Sequence, residues 1–187
     1  MQQARKNAGR WIGRIGALLV LSAIAVWAWQ QPFAVVARES WMLARMPAPA
    51  AILVPVQGIK PRQIADTFGA PRGRDRKHHG VDIFAKRGTP VVAATAGVVA
   101  AVRDSGLGGR QVWVISPAGQ RHYYAHLQDW APGLAYGRVV QAGDVLGFVG
   151  DSGNARGTPP HLHYGIYAGD GPFDPLPLMH AAQARKR

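Results

Sequence analysis

Two short clusters hold the residues that could do chemistry. One reads His78-His79-Gly80-Val81-Asp82 and the other His161-Leu162-His163. Imidazole nitrogens and carboxylate oxygens are ligands that Zn²⁺ accepts, and a catalytic zinc site uses three of them and keeps one position for water. Water held in that way becomes a nucleophile near neutral pH. The clusters supply such a set with a histidine to spare, so the first reading of the chain is a zinc hydrolase.

The spacing has a geometric basis. The helical HExxH zinc motif is absent, which leaves strands to present the ligands. In a strand, residues i and i+2 point to one face. His161 and His163 therefore share a face, with Leu162 on the other, in a segment that continues as Tyr164-Gly165-Ile166-Tyr167. Asp82 lies in the strand-like Val81-Asp82-Ile83-Phe84, and Gly80 is expected to let the backbone turn sharply so that His78 and Asp82 reach one ion. A lone His-x-His is ordinarily a solvated or packed pair. The weight comes from both clusters occurring together with His126, in Tyr123-Tyr124-Ala125-His126-Leu127. His79 is expected to point away from the ion, and His122, on the same strand face as His126, to be partly exposed. His180 needs no role.

Several features compete and lose. Gly150-Asp151-Ser152-Gly153 resembles a serine-protease nucleophile loop, but the rest of that pattern is missing, and a turn before the His161 strand suffices. Asn154 and Arg156 are candidates to line the cleft. Ser105-Gly106-Leu107-Gly108-Gly109 lacks the Lys-Ser/Thr of a phosphate loop and reads as a flexible hairpin tip. Asp75, Asp144, Asp151 and Asp174 read as turn residues.

The elements that must position these residues follow from the rest of the chain. Its 187 residues suit one globular domain with an appendage. There is no cysteine, so disulfides are excluded and zinc ligands must be His, Asp or Glu. The net charge is +12, but no nucleic-acid motif appears and the charge is dispersed, so no nucleic-acid partner is expected. The densest basic run, Arg72, Arg74, Arg76 and Lys77, suits solvated loop charge or attraction to an anionic polymer such as a cell wall.

Residues 1–14 are basic, with Arg5, Lys6, Arg10 and Arg14 and no acid; residues 15–29 form an apolar run. The expectation is a transmembrane anchor with its positive flank in the cytoplasm and the rest exported. The alternative is a signal peptide cut after the small-x-small Ala23-Ile24-Ala25, since the run is shorter than the ~20 residues of a full span. Residues 30–53 read as a juxtamembrane linker, with a short helix over 33–46 and a stiff Pro47-Ala48-Pro49 tether. Residues 54–176 read as the main domain and 177–187 as a basic tail ending in Arg185-Lys186-Arg187. A helical turn is expected over Pro61–Phe68, ended by Gly69. Thereafter short strands alternate with Gly-rich turns, which predicts an all-β, compact antiparallel sandwich or barrel.

The ordered set His78-x-Gly80-x-Asp82, Tyr124-Ala125-His126 and His161-x-His163 resembles the lysostaphin-type (LytM-like) zinc endopeptidases of bacterial peptidoglycan. Gly143-Asp144-Val145-Leu146-Gly147-Phe148-Val149-Gly150 resembles that family's strand before the last motif. The resemblance implies a grooved antiparallel β domain with one zinc ion held by His78, Asp82 and His163. It implies that His126 and His161 stand beside the ion as catalytic residues, one as general base, the other on the oxyanion or leaving amine, without saying which is which. It implies peptidoglycan cross-link peptides as substrate and a cell-envelope location outside the cytoplasm, and no obligate protein partner is evident. Some members lack ligands and act instead as regulators that activate a separate amidase; here all five positions are kept. A lipoylated carrier is excluded, because no lysine falls between Lys86 and Lys186.

Overall fold

The computed structural model describes residues 2–73 and 75–184, with the backbone alone over residues 2–10 and at 12 and 13. Arg74 and the Arg185-Lys186-Arg187 tail lie outside the described residues. The chain divides into two units, at Val35 and Val36.

The first unit is built on helix α1 (Gln2–Gln30), and α2 (Pro32–Leu43) follows across the division. Along α1 the side chains of Ile15, Leu18, Leu19, Val20, Leu21, Ile24 and Val26 are exposed. No single helix among the described residues is long and apolar enough to cross a membrane; Arg14–Gln30 and Pro32–Leu43 meet the requirement only as a bent pair. The reason is length: at 1.5 Å rise per residue, the apolar run from Ile15 to Trp29 spans about 22 Å, short of the ~30 Å hydrocarbon core.

The second unit is mostly β, and every strand pairing in it is antiparallel. Strands β1 (Pro71–Arg72) and β2 (Arg76–Lys77) make a small ribbon. β4 (Pro90–Val92), β10 (Val145–Val149) and β8 (Leu127–Trp130) form a sheet of three. The large sheet runs β12 (Gly171–Phe173), β11 (His161–Ala168), β7 (Arg121–Ala125), β6 (Gly109–Ile115), β5 (Gly97–Ser105), β9 (Val139–Val140). β3 (Val81–Phe84) pairs with the first half of β11. The result is a curled antiparallel half-barrel rather than a closed one.

Alternation sorts the large sheet's side chains. Val112, Val114, Tyr124, Leu162, Tyr164 and Ile166 go to the core, where they meet Leu127, Leu146 and Val149 of the smaller sheet. Each such aliphatic side chain, fully removed from water, contributes about 1.5–3 kcal/mol. The partners on the other parity face the site.

Three expectations about segments at the edges of the domain change. Pro61–Phe68 is not a helical segment; only a 3₁₀ turn forms at Pro61–Gln63, where the Lys60 N–H donates to Gln63 Oε1 at 2.8 Å, and the chain then extends at Ile64. The segment read as a linker enters the core at its end, with Ile52 buried. The segment read as a basic tail begins inside helix α3 (Leu176–Ala184), whose Met179 is buried and whose Leu178 carbonyl accepts the Ile52 N–H at 3.2 Å. Apolar spacing in so short a helix is hard to see from the sequence.

His122, expected to be partly exposed, is fully buried. Its Nδ1 accepts from the Tyr164 hydroxyl at 2.7 Å, and its Nε2–H donates to Gln120 Oε1 at 3.4 Å. Burial pushes its pKa down to about 4, so the folded protein holds it neutral. The unfolded chain takes up a proton near the ordinary value of about 6.5. Stability from this residue is therefore complete above about pH 6.5 and is lost as pH falls toward 4, by roughly 3 kcal/mol at the acid end. Thermal melts from pH 7.5 to 4.5 should show a steeper acid-side loss for the native chain than for His122→Phe. Parallel curves would refute this assignment.

Candidate active site

The structure brings His78, Asp82 and His163 together, and one ligand atom from each lies within 4.8 Å of the others. The register of β3 on β11 explains it: Asp82 pairs directly with His163. His78 sits just before β3, held by its own N–H on Ala70 O and its carbonyl on the Gly69 N–H, both 2.8 Å. His78 Nε2 is 2.9 Å from His163 Nδ1, and Asp82 Oδ1 is 3.1 Å from each of those nitrogens.

This donor set fits a zinc ion. Ligands about 2.0–2.2 Å from a tetrahedral zinc stand roughly 3.3 Å apart. His78 Nδ1 donates to the Thr67 carbonyl at 2.8 Å, which leaves Nε2 as the nitrogen with a lone pair for the centre. The Asp82 backbone N–H donates to Thr67 Oγ1 at 3.3 Å. The Arg72 guanidinium donates to Asp82 Oδ2, the carboxylate oxygen turned away from the two imidazoles. Burial would raise the Asp82 pKa, but the His163 and His78 imidazoles and the Arg72 guanidinium around it hold it well below the carboxylate range. The carboxylate is thus ionised, as a metal ligand must be.

His126 and His161 stand beside this group. Their ring centroids are 5.1 Å apart, and His126 lies 5.9 Å from His163. His126 Nδ1–H donates to Ser152 O at 2.9 Å and His161 Nδ1–H to Pro159 O at 2.8 Å. With Nδ1 tied in this way, Nε2 is the nitrogen of each ring through which a proton can be exchanged. Burial chiefly, with the neighbouring His163, pushes the His126 pKa down to about 4.

His126 reaches this place by a backbone departure. By strand parity it would follow His122 and Tyr124 into the core. Its φ of 65° breaks the alternation between β7 and β8 and puts it on the groove instead. A non-glycine residue there costs on the order of 1 kcal/mol and persists only where the surroundings enforce it. Here the His126 N–H is held by the Gly108 carbonyl at 2.9 Å.

That contact changes the reading of the Ser105–Gly109 stretch. It is not a loose tip: Leu107 O accepts the Asn154 N–H at 2.9 Å, and Gly109, with φ of 59°, packs against Ser152 and Gly153. Ser152 is structural as well. Its hydroxyl accepts the Arg110 N–H at 2.9 Å and its carbonyl orients His126.

A groove of about 670 Å³ opens over these residues. Arg72, Asp75, Arg76 and Lys77 of the β1–β2 ribbon line one side, and Leu107, Gly108 and Asn154 line another. Tyr123, Ala125 and Tyr167 also line it. His79 reaches the groove but is not among the three convergent residues. Arg156 is not among the lining residues, in contrast to the expectation for it.

Residues 76–175 match the sequence profile of Peptidase family M23. The chain belongs to Peptidase family M23. It is 40% identical over 126 residues to the L-Ala--D-Glu endopeptidase of Bacillus subtilis, covering 62% of this chain and 39% of that protein. It is 38% identical over 115 residues to the DD-carboxypeptidase/endopeptidase Mpg of Neisseria meningitidis, covering 59% of this chain and 26% of that protein. The chain thus spans well under half the length of these relatives. The crystallised catalytic domain of lysostaphin from Staphylococcus simulans superposes with a TM-score of 0.56 at 31% identity, over 63% of this chain and 91% of that one. The half-barrel is therefore the architecture of that domain.

Within the M23 domain, the role of Gly80 is close approach rather than a turn. A Cβ there would strike the carbonyl of Tyr164 on β11, with its carbon at 2.9 Å and Gly165 Cα at 3.1 Å. Gly80→Ala should therefore push the segment joining His78 to Asp82 away from His163. We expect a loss of about 1–3 kcal/mol in stability, as for overpacking elsewhere, together with weakened zinc binding. Calorimetric melting and zinc titration check it; a variant with native melting and native zinc affinity would overturn the assignment.

The sequence offered no signal for Thr67, Pro159 and Ser152 as orienting groups, because carbonyl acceptors leave no side-chain signature. Arg72 was visible only as part of a basic run.

Proposed function

We propose that this M23 protein is a zinc-dependent endopeptidase that hydrolyses peptide cross-links in bacterial peptidoglycan, with its catalytic domain held outside the cytoplasm by the N-terminal helical segment. One observation carries the reading: a convergent His-Asp-His group flanked by two histidines whose Nδ1–H groups are tied to backbone carbonyls. The named activities of the Bacillus and Neisseria relatives support peptidoglycan peptides as the substrate class.

His78, Asp82 and His163 would hold the ion. Zinc bound there supplies Lewis-acid polarisation of the scissile carbonyl and lowers the pKa of water. The remaining chemistry belongs to this chain. One of His126 and His161 accepts the attacking water's proton at Nε2; the other acts in its Nε2–H form, donating to the developing oxyanion or the leaving amine, and the proton taken from water replaces the one given up. Such positioned acid-base groups typically contribute ~10²–10⁴-fold. The exposed apolar face of α1 supports membrane attachment. The +12 charge favours residence on an anionic wall, an attraction that weakens with salt.

The test uses the purified full chain in detergent, incubated with cross-linked peptidoglycan with and without a zinc chelator. Fragments are read by mass spectrometry. Chelator-sensitive loss of cross-linked dimers is expected. Intact cross-links in the presence of zinc would overturn the reading in favour of a non-hydrolytic regulator of a separate amidase.

A further inference from the structure

The groove face of the large sheet continues past the histidines. Register sorts it into rows. His163 pairs with Ala125; Gly165 pairs with Tyr123, which pairs with Trp113, which meets Ala101; Tyr167 pairs with Arg121, which pairs with Ile115. Residues of one parity on β6, β7 and β11 therefore form a single surface leading away from the site, and no acid occupies that parity on these strands.

The middle of this surface is an aromatic ridge. Trp113 stacks on Tyr123 at 4.3 Å and 29°, and its centroid lies 5.5 Å from that of Tyr167. Tyr123 also meets His163 edge-on at 5.7 Å, so the ridge is continuous with the site. A separate hollow of about 190 Å³ touches Trp113 and is lined by Ala101, Ile115, Arg103 and Arg121 among others. Arg103 acts on the Tyr123 hydroxyl and Arg121 on that of Tyr167, each opposing the upward pKa shift caused by burial. Both arginines are exposed, and among the described residues neither lies within ion-pair distance of a carboxylate. The arginines with acidic partners are others: Arg38, Arg72, Arg87 and Arg110.

We propose that the Trp113–Tyr123–Tyr167 ridge and the hollow beyond it, flanked by Arg103 and Arg121, form a second subsite for the carboxylate-bearing part of the peptidoglycan stem peptide. The ridge takes the peptide's methyl and methylene groups, and the arginines take its free carboxylates. Two features select this occupant. The surface runs unbroken from the reacting centre, so a strand cut there must leave along it or along the opposite wall. Its charge is positive without internal neutralisation, so an anionic segment gains attraction with no ion pair to break first. The proposal rests on the hydrolase reading for its kinetic test but not for its binding test.

The kinetic test compares the native chain with an Arg103→Gln, Arg121→Gln double variant on two cross-linked peptide substrates. One carries free side carboxylates and the other has them amidated. The native chain should prefer the free acid, and the double variant should lose about tenfold of that preference in kcat/KM through KM. A preference that is absent or unchanged in the variant would overturn the proposal. So would an equal loss on both substrates, which is the mark of general damage.

The binding test is isothermal titration calorimetry with an uncross-linked stem peptide bearing free carboxylates. Affinity should fall about tenfold in the double variant and also in Trp113→Ala, with partial recovery in Trp113→Phe. Equal affinity in all of them would overturn the subsite. If the native chain cuts nothing yet binds the stem peptide through these residues, the hydrolase reading fails while the subsite stands. Both substituted arginines are exposed, so the double variant keeps its core intact.

Discussion

Replacing Asp82 with alanine is expected to remove zinc and peptidase activity together, the largest effect of any single change in the chain. Asp82 is the hub of the site. Its Oδ1 is 3.1 Å from both His78 Nε2 and His163 Nδ1, and its Oδ2 takes the Arg72 guanidinium. Alanine leaves two imidazoles and a cation with no anion among them. The hydrogen-bond partners that merely orient metal ligands are worth about 10–100-fold in affinity, so loss of a ligand exceeds about a hundredfold. Breaking one side of a buried charge pair costs about 3–5 kcal/mol, although the exposure of Arg72 places this case at or below the low end. Zinc should raise the melting temperature of the native chain by mass action and should not raise that of the variant. Metal content after dialysis gives the independent readout. A variant that kept zinc-dependent stabilisation at native strength would show that Asp82 is not a ligand.

The second large effect separates chemistry from metal binding. His126→Ala and His161→Ala should each lower kcat by ~10²–10⁴-fold while zinc content stays near that of the native chain. The geometry makes the distinction sharp. Neither ring belongs to the convergent group of His78, Asp82 and His163, and each is oriented by a backbone carbonyl, Ser152 O or Pro159 O. Alanine removes the proton carrier and leaves the three ligands in register on β3 and β11. Alanine keeps a Cβ, so the backbone strain at the φ of 65° stays in the His126 variant and is not relieved by the change. Native-rate cleavage by His161→Ala would sink the acid-base assignment; zinc loss equal to that of the Asp82 variant would make His161 a ligand.

The candidate site was legible because its chemistry is carried by residue types and short spacings. His161 and His163 share a face by strand parity, and the same parity sends Leu162 and Tyr164 to the core. The antiparallel β character followed from short apolar runs between glycine-rich turns. Parity also misled: it grouped His122 with His126, whereas His122 is buried against Tyr164 and His126 leaves the alternation at a positive φ. Nothing local in Tyr124-Ala125-His126 announces that torsion. Gly80 was noticed, but for the wrong property, since the close approach it permits involves Tyr164 on a distant strand.

What the sequence by itself determined is the inventory: which side chains can ligate or shuttle protons, their spacing on strands, the basic segment before an apolar run, and the absence of cysteine. These are properties of neighbours along the chain, where covalent geometry alone sets direction. What only the tertiary structure decided is juxtaposition. Asp82 faces His163 because β3 pairs antiparallel with β11, and His126 turns to the groove because the Gly108 carbonyl and the Ser152 carbonyl hold its backbone and ring. Trp113, Tyr123 and Tyr167 become one ridge only once three strands lie in register. Those contacts join segments far apart in the chain through backbone hydrogen bonds, which every residue can make, so residue identity carries no trace of them.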